Sequence, residues 1–547
     1  PEPSDKIISG GEGDGTLLKY KTENILARGK THYHGHPVAA VAAINPHVAG
    51  QAVKLIDVTY EVLPAVLEVR EAMVPDAPMI IEDLRTKLGD QVISETPSNI
   101  AEKMVYETGD VDQGFEESDL IIDREFSFGV VHQGYIETHN ATAHWLKDGN
   151  IHVWCSSQGA FSIRTELANI LDHPITKIHV TPMEIGGGFG GKTTSYLEPL
   201  AALLSRKSGR PVKMNMDRDE VLKATGPTPG GCVRVKLGVT SAGTVKAGYA
   251  ELAFDAGGFP GSVVGAGCKC VFAPYNMPNA KVVGYDVVVN KPKTHAYRAP
   301  GATHAEFASE TVVDEICREL GLDPVEFRLQ NSAKEGDWQL DEPPYARIGH
   351  IECVEAARDS DHWQTPLEQV PGKLRGRGIA SGFWFNVGLT SSAIARLNSD
   401  GSVTLLEGST DIGGTRTSVA MQFAETLGIS VDDVFPIVAD TDSVGQTDVT
   451  GGSRVTFATG IAAHDAANDM KQQIIAGLAD LWEMPEDAIT HRDGTFSTDG
   501  KSLTVREAAL LLTDEEIFPV GRATVTPERV GGAFTTHIAD VEVDGET

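Results

Sequence analysis

The sequence is poor in cysteine, in basic residues and in long apolar runs, and each shortage excludes a class of protein. Six cysteines are spread over 547 residues. Only Cys268 and Cys270 lie close together, in a C-x-C spacing that is not typical of a zinc or redox site. The chain therefore offers neither a disulfide scaffold nor the ligands of an iron–sulfur cluster.

Basic residues are also scarce, with 46 lysines and arginines against 77 aspartates and glutamates, so the formal net charge at pH 7 is −31. A chain this acidic is repelled by the phosphates of nucleic acids and anionic membranes, and neither is an expected partner. No apolar run reaches the roughly 18 to 20 residues that span a bilayer. The opening letters PEPSDK show no export signal, and together these features predict a cytoplasmic protein.

What the sequence does contain is a regular interleaving of strand and helix patterns. Its length is too great for one core and predicts three or four domains. Runs at 37–43 and 57–63 predict strands on either side of a helix at 49–56. The last letters, VEVDGET, read as a strand that enters a turn with no second strand to follow. Between these two ends, clear examples of the interleaving are the helix Ala160–Leu171 and the strands Leu120–Phe128, Val403–Glu407 and Val434–Val438. The predicted fold class is α+β or mixed α/β, over several domains.

One stretch, IGGGFGGKTT at 185–194, contains five glycines in ten residues. It satisfies the phosphate-loop pattern G-x-x-x-x-G-K-[ST] and also the dinucleotide pattern G-x-G-x-x-G. Both patterns place backbone amides against an anion at the start of a helix. A loop so rich in glycine matches several patterns through composition alone, and no Asp or Glu follows about 20 residues later to bind a ribose. Three interpretations stay open at this point: a nucleotide-hydrolase loop, a structural turn, and a loop for the anion of another cofactor.

Two further glycine clusters precede predicted helices. One is GSTDIGGT at 408–415, before a helical run from Arg416, and the other is GGSR at 451–454, before a helix from Ala458. Amide and hydroxyl groups at a helix start bind anions readily. Three such clusters favour one polyanionic ligand that is bound from several sides, and a glycine-rich scaffold without a ligand is the alternative.

In this order and spacing, the loops resemble those of the large, molybdopterin-binding subunit of the xanthine oxidase and aldehyde oxidase family of molybdenum hydroxylases. The matching stretches include GKTHYHGHPVAAVAA, VHQGYIETHNATAHW, WCSSQGAF, IGGGFGGK, HAYRAPGATHAEFASE, GSTDIGGTRTS and GGSRVTFATG. The resemblance implies an α/β hammerhead domain followed by two molybdenum-cofactor-binding domains. We predict a hammerhead-like domain with a linker over 1–100, a first molybdopterin-binding domain over 101–370 and a second over 371–547. The first of these is expected to be incomplete at its N-terminal end and the last at its C-terminal end.

The cofactor-site residues of the family can be assigned to individual positions of this sequence. The resemblance implies that Gln158 hydrogen-bonds an oxo ligand of the molybdenum. It also implies that the backbone at Phe189 and Gly190 faces the metal centre, with Arg298 on the opposite side. The pterin dithiolene holds the metal in this family, so no side chain here is expected to be a metal ligand. The expected cofactor-binding residues are Gln158, Gly188, Phe189, Gly190, Gly191, Arg298, Gly413, Gly414, Thr415, Gly452, Ser453 and Arg454.

Thr193, Ala299 and Pro300 are expected in the substrate pocket, and all three depart from patterns of the family. Purine-binding members carry a glutamate in place of Thr193 and an aromatic residue in place of Pro300, so the same contacts to a purine are not expected. Ala299 stands where the carbon monoxide-oxidising branch has a copper-bridging cysteine, which disfavours that chemistry. The usual G-Q-G of the pterin loop reads G-G-T at 413–415, so the contacts of the glutamine must differ.

The implied function is hydroxylation of an aldehyde or an electron-poor aromatic heterocycle with oxygen from water. The implied cofactor is molybdenum–molybdopterin in its cytosine dinucleotide form, with a 2Fe–2S cluster and FAD on partner subunits that receive the electrons. The family's catalytic base is a glutamate in a G-x-G-E loop, which is expected beyond Thr547. No catalytic residue is therefore expected in this chain, and the isolated chain is expected to be inactive. A companion chain carrying the remaining segment is a further expected partner; the alternative is a non-catalytic piece that holds the cofactor and is completed by another chain.

Overall fold

The computed structural model describes residues 6–9, 15–340, 342–368, 370–528 and 530–544. Three units follow one another along the chain, in the order that the sequence predicts. The first unit is small and contains a two-stranded sheet and three helices. Its elements are Ile7–Ser9, Gly15–Leu17, Leu18–Ile25, Pro46–Val53 and Val69–Ala72.

The predicted helix of this unit is present, but the two predicted strands are not. Asn45 caps the helix Pro46–Val53, with its side chain accepting a hydrogen bond from the amide of Val48 at 2.9 Å. The stretches 37–43 and 57–63 pair with no other strand among the described residues, and the second is exposed throughout. The prediction of strands there was wrong. Neither the apolar run at 37–43 nor the side-chain alternation at 57–63 creates a strand without a neighbour to take its hydrogen bonds.

The second unit is built on two sheets, of which the larger has seven strands. The helices Val264–Cys270 and Ala302–Leu320 pack against it and form a continuous apolar core with its strands. In spatial order the strands are Gln91–Val92, Lys87–Leu88, Ile100–Thr108, Ala280–Val288, Val245–Gly257, Gly231–Val239 and Leu120–Phe128.

The smaller sheet of this unit determines where two of the candidate loops lie. Its strands Ile151–Cys155 and Ile178–Pro182 are parallel neighbours, connected through the helix Ala160–Leu171. Parallel neighbours end at the same edge of a sheet, so the loops after them lie side by side. Gln158 follows the first strand and the glycine loop follows the second. The other two strands of this sheet are Asn140–Trp145 and Val212–Asn215, and the helix Glu198–Ser208 precedes the latter in the sequence.

The third unit repeats this arrangement. Val403–Glu407 and Val434–Val438 are parallel neighbours joined through the helix Thr415–Leu427, and the second glycine cluster follows the first of these strands. The long helix Gly460–Trp482 packs on the same sheet. The remaining elements of the unit are Lys373–Trp384, Ser391–Leu397, the π-helical turn Val455–Thr459, Thr490–Arg492, Thr495–Thr498, Lys501–Thr504, Val505–Asp514, Val520–Val525 and Ala533–Asp544.

Short helices and turns connect these elements. The strand Ala533–Asp544, expected to lack a partner, pairs along its whole length with Lys373–Trp384. No helix within the described part of the chain combines the length and the apolar character that crossing a bilayer requires. The connecting helices are Val111–Glu116, Arg218–Ala224, Pro324–Asn331, His350–Arg358 and Asp361–Gln364, and the 3-10 turns are Ile175–Lys177, Val431–Asp433 and Glu486–Ala488.

Two glutamates, the buried Glu310 and the half-buried Glu306, attach the third unit to the second. Glu310 accepts hydrogen bonds from the amide of Ser381 and from Arg328, both at 2.7 Å. Glu306 accepts from the amide of Phe383 at 2.7 Å, and burial raises the pKa of Glu306 to about 8. Both glutamates lie on the helix Ala302–Leu320, so this helix fixes the strand that opens the third unit.

The core of the third unit gives a direct test of the fold. Phe423 is fully buried between the helices and the sheet, whereas Phe435 is 56% exposed on an edge strand of the same sheet. We expect Phe423→Ala to lower the free energy of unfolding by about 3–5 kcal/mol, because it removes buried contacts and leaves a cavity. Phe435→Ala is the matched control and is expected to change it by no more than about 0.5 kcal/mol. Denaturant unfolding of both variants measures the difference, and equal effects would contradict this description of the core.

Candidate cofactor site

The side chain of Gln158 joins loops from two units of the protein. It is 2% exposed, and its oxygen accepts hydrogen bonds from the amides of Gly190 at 2.9 Å and Lys192 at 3.2 Å. Its nitrogen donates to the carbonyl of Thr450 at 2.7 Å. Backbone hydrogen bonds follow the same path, from Gln158 N to Lys192 O at 2.8 Å and from Thr450 N to Gln158 O at 2.7 Å. Gln158 therefore links the smaller sheet, the glycine loop and a loop of the third unit.

The glycine loop can approach so closely only because of its composition. A Cβ atom on Gly188 would lie 2.5 Å from the side-chain oxygen of Gln158, and one on Gly190 would lie 2.5 Å from the carbonyl oxygen of Ala296. Between these glycines, Phe189 adopts a φ of 54° and is 41% exposed. A positive φ is strained for a phenylalanine, so the surrounding contacts must hold this backbone in place.

Lys192 does not have the surroundings of a phosphate-binding lysine. Its side chain is fully buried, and Nζ donates to Glu137 at 2.7 Å and to Ser156 at 2.9 Å. Burial lowers the pKa of Lys192. Burial alone would raise the pKa of Glu137, but hydrogen bonds from Lys192, Ser156 and Gly186 outweigh it and hold that pKa below its ordinary value. The nucleotide-hydrolase interpretation is wrong, because the lysine of the loop is committed to a carboxylate of the protein.

The segment 296–300 lies against the other side of the glycine loop. The amide of Arg298 donates to the carbonyl of Phe189 at 2.9 Å, and Arg298 itself is exposed. Arg298 and Ala299 have φ values of 31° and 57°, so the backbone is strained here as well. Of the expected pocket residues, Ala299 and Pro300 are half-buried, whereas Thr193 is buried with its hydroxyl donating to Gly190 O at 3.1 Å.

The residues before the strand Asn140–Trp145 take part in the site and were not predicted. Gln133 donates through Nε2 to the carbonyls of Ala296 at 2.8 Å and Gly226 at 3.0 Å, and Glu137 binds Lys192. Both residues lie in the stretch VHQGYIETHNATAHW that supports the family resemblance. Ala296, Gly226 and Lys192 are each more than 50 residues away from these two side chains in the sequence, so no local pattern identifies these contacts.

The second glycine cluster provides its own anion. The carboxylate of Asp411 accepts from the amides of Gly413 and Thr415, both at 2.9 Å, and from Arg416 at 2.9 Å. Burial would raise the pKa of Asp411, but these hydrogen bonds outweigh it and hold that pKa well below its ordinary value. Two of the amides expected to bind a ligand anion at this helix start are therefore occupied by Asp411.

Space and an unpartnered donor remain beside this cluster. A Cβ atom added to Gly413 or Gly414 would meet nothing within 4 Å, and the two glycines have φ values of 143° and 92°. The hydroxyl of Thr410 is buried and has no hydrogen-bond partner among the described residues. A cavity of about 200 Å³ is lined by Thr410, Asp411, Arg416 and its ion-pair partner Glu184, together with apolar side chains. This combination suits a polar group of an added ligand, because a buried hydroxyl without a partner is costly.

The third glycine cluster is held by Arg454, which is fully buried. Gly452 and Ser453 have φ values of 63° and 59°, and the carbonyl of Gly452 accepts from the amide of Val387 at 3.1 Å. All five N–H groups of the Arg454 guanidinium have acceptors within the protein. These are the carbonyls of Gly388, Thr390, Asp448 and Val449 and the hydroxyl of Ser391. Arg454 therefore supports two loops, and its expected contact with the cofactor stays a prediction.

Direct contacts connect all the candidate loops. Gln158 joins the glycine loop to Thr450, and the hydroxyl of Thr450 donates to the carbonyl of Thr410 at 2.9 Å, next to the second glycine cluster. Phe189 joins the glycine loop to Arg298. Sequence-distant segments from two units thus meet in one region, where both sheets present the carboxyl ends of parallel strands.

Comparison with known proteins agrees with this architecture. A model of the aldehyde oxidase and xanthine dehydrogenase hammerhead domain matches residues 5–64. Two models of molybdopterin cofactor-binding domains match residues 92–332 and 354–547. The chain is 27% identical over 544 residues to a probable xanthine dehydrogenase subunit of Bacillus subtilis, covering 95% of this chain and 70% of that protein. It is 29% identical over 479 residues to the molybdenum-binding subunit of an aldehyde oxidoreductase of Escherichia coli, covering 84% and 62%.

Solved structures show the same fold. Quinoline 2-oxidoreductase from Pseudomonas putida has a TM-score of 0.85 at 23% identity, over 100% of this chain and 73% of that chain. Carbon monoxide dehydrogenase from Oligotropha carboxidovorans has a TM-score of 0.83 at 24% identity, over 98% and 72%. The chain spans 61% to 70% of the length of the first few curated relatives it matches. The predicted fold class and family are confirmed, and the chain belongs to the molybdopterin-binding subunits of the xanthine dehydrogenase and aldehyde oxidase family of molybdenum hydroxylases.

Proposed function

We propose that the protein binds molybdenum–molybdopterin and hydroxylates an aldehyde or an electron-poor aromatic heterocycle with oxygen from water. The observation that carries the proposal is the direct contact between three glycine-rich loops through Gln158 and Thr450. Relatives named as a xanthine dehydrogenase subunit and an aldehyde oxidoreductase subunit support this substrate range. When bound, the cofactor supplies a Lewis-acidic, redox-active metal.

The residues around Gln158 would orient that cofactor. A carboxamide nitrogen carries two hydrogens, and Thr450 takes one of them, so Gln158 has a second N–H to offer a metal-bound ligand without adding charge. The exposed Phe189 precedes Gly190, whose amide binds Gln158, and its carbonyl accepts from the amide of Arg298, with Ala299 and Pro300 next in the sequence. We assign these four residues to the wall between cofactor and substrate.

The dinucleotide end of the cofactor would lie along the second and third glycine clusters. We propose the cytosine dinucleotide form, in which a pyrophosphate needs several neutral donors. The unpartnered hydroxyl of Thr410 and the open backbone at Gly413 and Gly414 support this placement. Thr415 shares Asp411 with the backbone and would position the loop, and Gly452 and Ser453 would contact the ligand through their backbone.

The pocket residues favour some substrates over others. Thr193 has a buried hydroxyl that is already bonded to Gly190, so it does not replace the carboxylate that purine-binding members use at this position. Ala299 offers no sulfur to a second metal. We therefore propose an aldehyde or a heterocycle other than a purine bound by those contacts.

We further propose that electrons leave through an iron–sulfur subunit and an FAD subunit in the cytoplasm. The six cysteines are free, and five of them are buried, which is typical of a reducing compartment and leaves the clusters to other chains. A non-catalytic role, in which another chain completes the site, remains the alternative. Substrate-dependent dye reduction is compared for this chain with and without an added segment that carries the family's G-x-G-E loop. A gain in activity supports the catalytic role, and no gain favours the non-catalytic one.

The cofactor assignment predicts the metal content of the purified protein. We expect about one molybdenum atom and one pterin dinucleotide per chain, because the site binds them as a unit. Elemental analysis and release of the nucleotide with acid measure both. A bound nucleotide without molybdenum, or neither component in a chain purified with its partners, contradicts the assignment.

The role of Gln158 predicts the effect of an isosteric substitution. Gln158→Glu keeps the acceptor for the amides of Gly190 and Lys192 but removes the donor to Thr450 O, so two oxygens face each other. We expect a loss of about 1–3 kcal/mol in stability, together with a drop in the molybdenum content. Gln51→Ala, on the exposed face of the helix Pro46–Val53, is the control. Thermal unfolding and metal analysis measure the two effects, and an unchanged metal content would count against the proposed role.

A further inference from the structure

Glu137 connects the two ends of the glycine loop. Its Oε2 atom accepts from the amide of Gly186 at 2.7 Å and from Nζ of Lys192 at 2.7 Å. The amide of Glu137 also donates to the carbonyl of Gly186 at 3.1 Å. The first and last residues of the loop 186–192 are therefore fixed to one carboxylate.

The same carboxylate is fixed to the segment that carries Gln158. Ser156, two residues before Gln158, donates to Glu137 Oε2 at 2.6 Å and accepts from Lys192 Nζ at 2.9 Å. Asn140 donates to the other oxygen of Glu137 at 2.9 Å. Lys192 is completely buried, and its Nζ lies 5.0 Å from the centre of the Tyr135 ring. A lysine buried this deeply needs its carboxylate partner, since an unpaired buried charge is far more costly than a paired one.

The loop that these contacts close contains the strained backbone described above. Gly187, Phe189 and Gly190 have φ values of 93°, 54° and 108°. Inside the loop, the amides of Gly190 and Lys192 are the two donors that hold the oxygen of Gln158. The two glycines adopt a positive φ freely, whereas Phe189 is strained, and a strained residue persists only where the surrounding contacts hold it.

We propose that the Glu137–Lys192 ion pair is a positioning pair, which closes the loop 186–192 and thereby sets the orientation of the Gln158 carboxamide. Both residues would act through Gln158, and neither is assigned a contact with the substrate or the cofactor. The consequence for the metal centre rests on the proposed function, whereas the consequence for the loop itself does not.

The pair is tested with two shape-conserving substitutions. Lys192→Met removes the cation but keeps the volume, and Glu137→Gln keeps an acceptor for Gly186 and Ser156 but leaves Lys192 unpaired. The double variant contains no unpaired buried charge. We therefore expect it to recover part of the amide protection that the single variants lose. Lys223→Met is the matched control, because Lys223 forms an exposed ion pair with Asp219 on a nearby helix.

Hydrogen exchange of the complete chain in its purified complex gives the first measurement. We expect the amides of Gly190 and Lys192 to exchange roughly 10-fold faster or more in both single variants, since their closed conformation loses its support. The control should match the natural protein. Unchanged exchange at these two amides in both single variants overturns the proposal, whether or not the protein contains molybdenum.

Turnover gives the second measurement, normalised to bound molybdenum. We expect kcat to fall on the order of 10- to 100-fold with KM changed by less than about threefold. The reason is that a misplaced Gln158 carboxamide disturbs the alignment of the reacting groups more than it disturbs substrate binding. A lower Tm with unchanged amide exchange and unchanged kcat per molybdenum would make the pair a purely structural one and overturn the proposal. If the unsubstituted protein contains no molybdenum, the proposed function is contradicted instead. The hydrogen-exchange result would still decide the role of the Glu137–Lys192 pair.

Discussion

The hydrogen bonds of the Gln158 carboxamide are the contact on which the arrangement of the site depends. A carboxamide offers an acceptor and donors in one rigid plane, and here the acceptor serves two amides of one loop while a donor serves a carbonyl of another. In a buried position each of these groups must find its partner, because a buried polar group without one is costly. The glycine loop of the second unit and the Thr450 loop of the third are therefore fixed relative to each other. A side chain with only an acceptor or only a donor could not join them in this way.

Most of the charged groups around this contact hold backbone in place. Arg454 gives all its N–H groups to two loops, Asp411 caps a helix start, and Glu137 binds both ends of the glycine loop. Residues with positive φ lie close to each of them, including Phe189 and Ser453. Strained backbone costs about 1–3 kcal/mol at each position, so it persists only where such contacts outweigh the cost. The result is a set of loops whose backbone is fixed by charged side chains of the protein itself.

The sequence predicted helices and strands well where one spacing of apolar residues, helical or alternating, continues through the whole element. The helix Ala160–Leu171 and the strands Val403–Glu407 and Val434–Val438 have the predicted bounds. It failed at 37–43 and 57–63, where the apolar pattern is present but no described strand lies beside the chain. The position of the glycine loops could be predicted from their family resemblance. The roles of Glu137 and Arg454 could not, because each depends on partners that are distant in the sequence. The partners of Asp411 are only two to five residues away, so its role has a local signal, an aspartate directly before a glycine-rich helix start.

By itself, the sequence determined the family, the order of the three units and the places where the backbone is free of side chains. Glycine content is a local property, and it fixes where a chain is able to bend sharply and approach other groups closely. The tertiary structure alone decided what each bend contacts. Lys192 illustrates the difference: its motif fits a phosphate, but the fold places a carboxylate 2.7 Å from its ammonium group. The electrostatic attraction of an ion pair acts over a few ångströms of space, and Glu137, which is 55 positions away in the sequence, reaches that distance only in the folded chain.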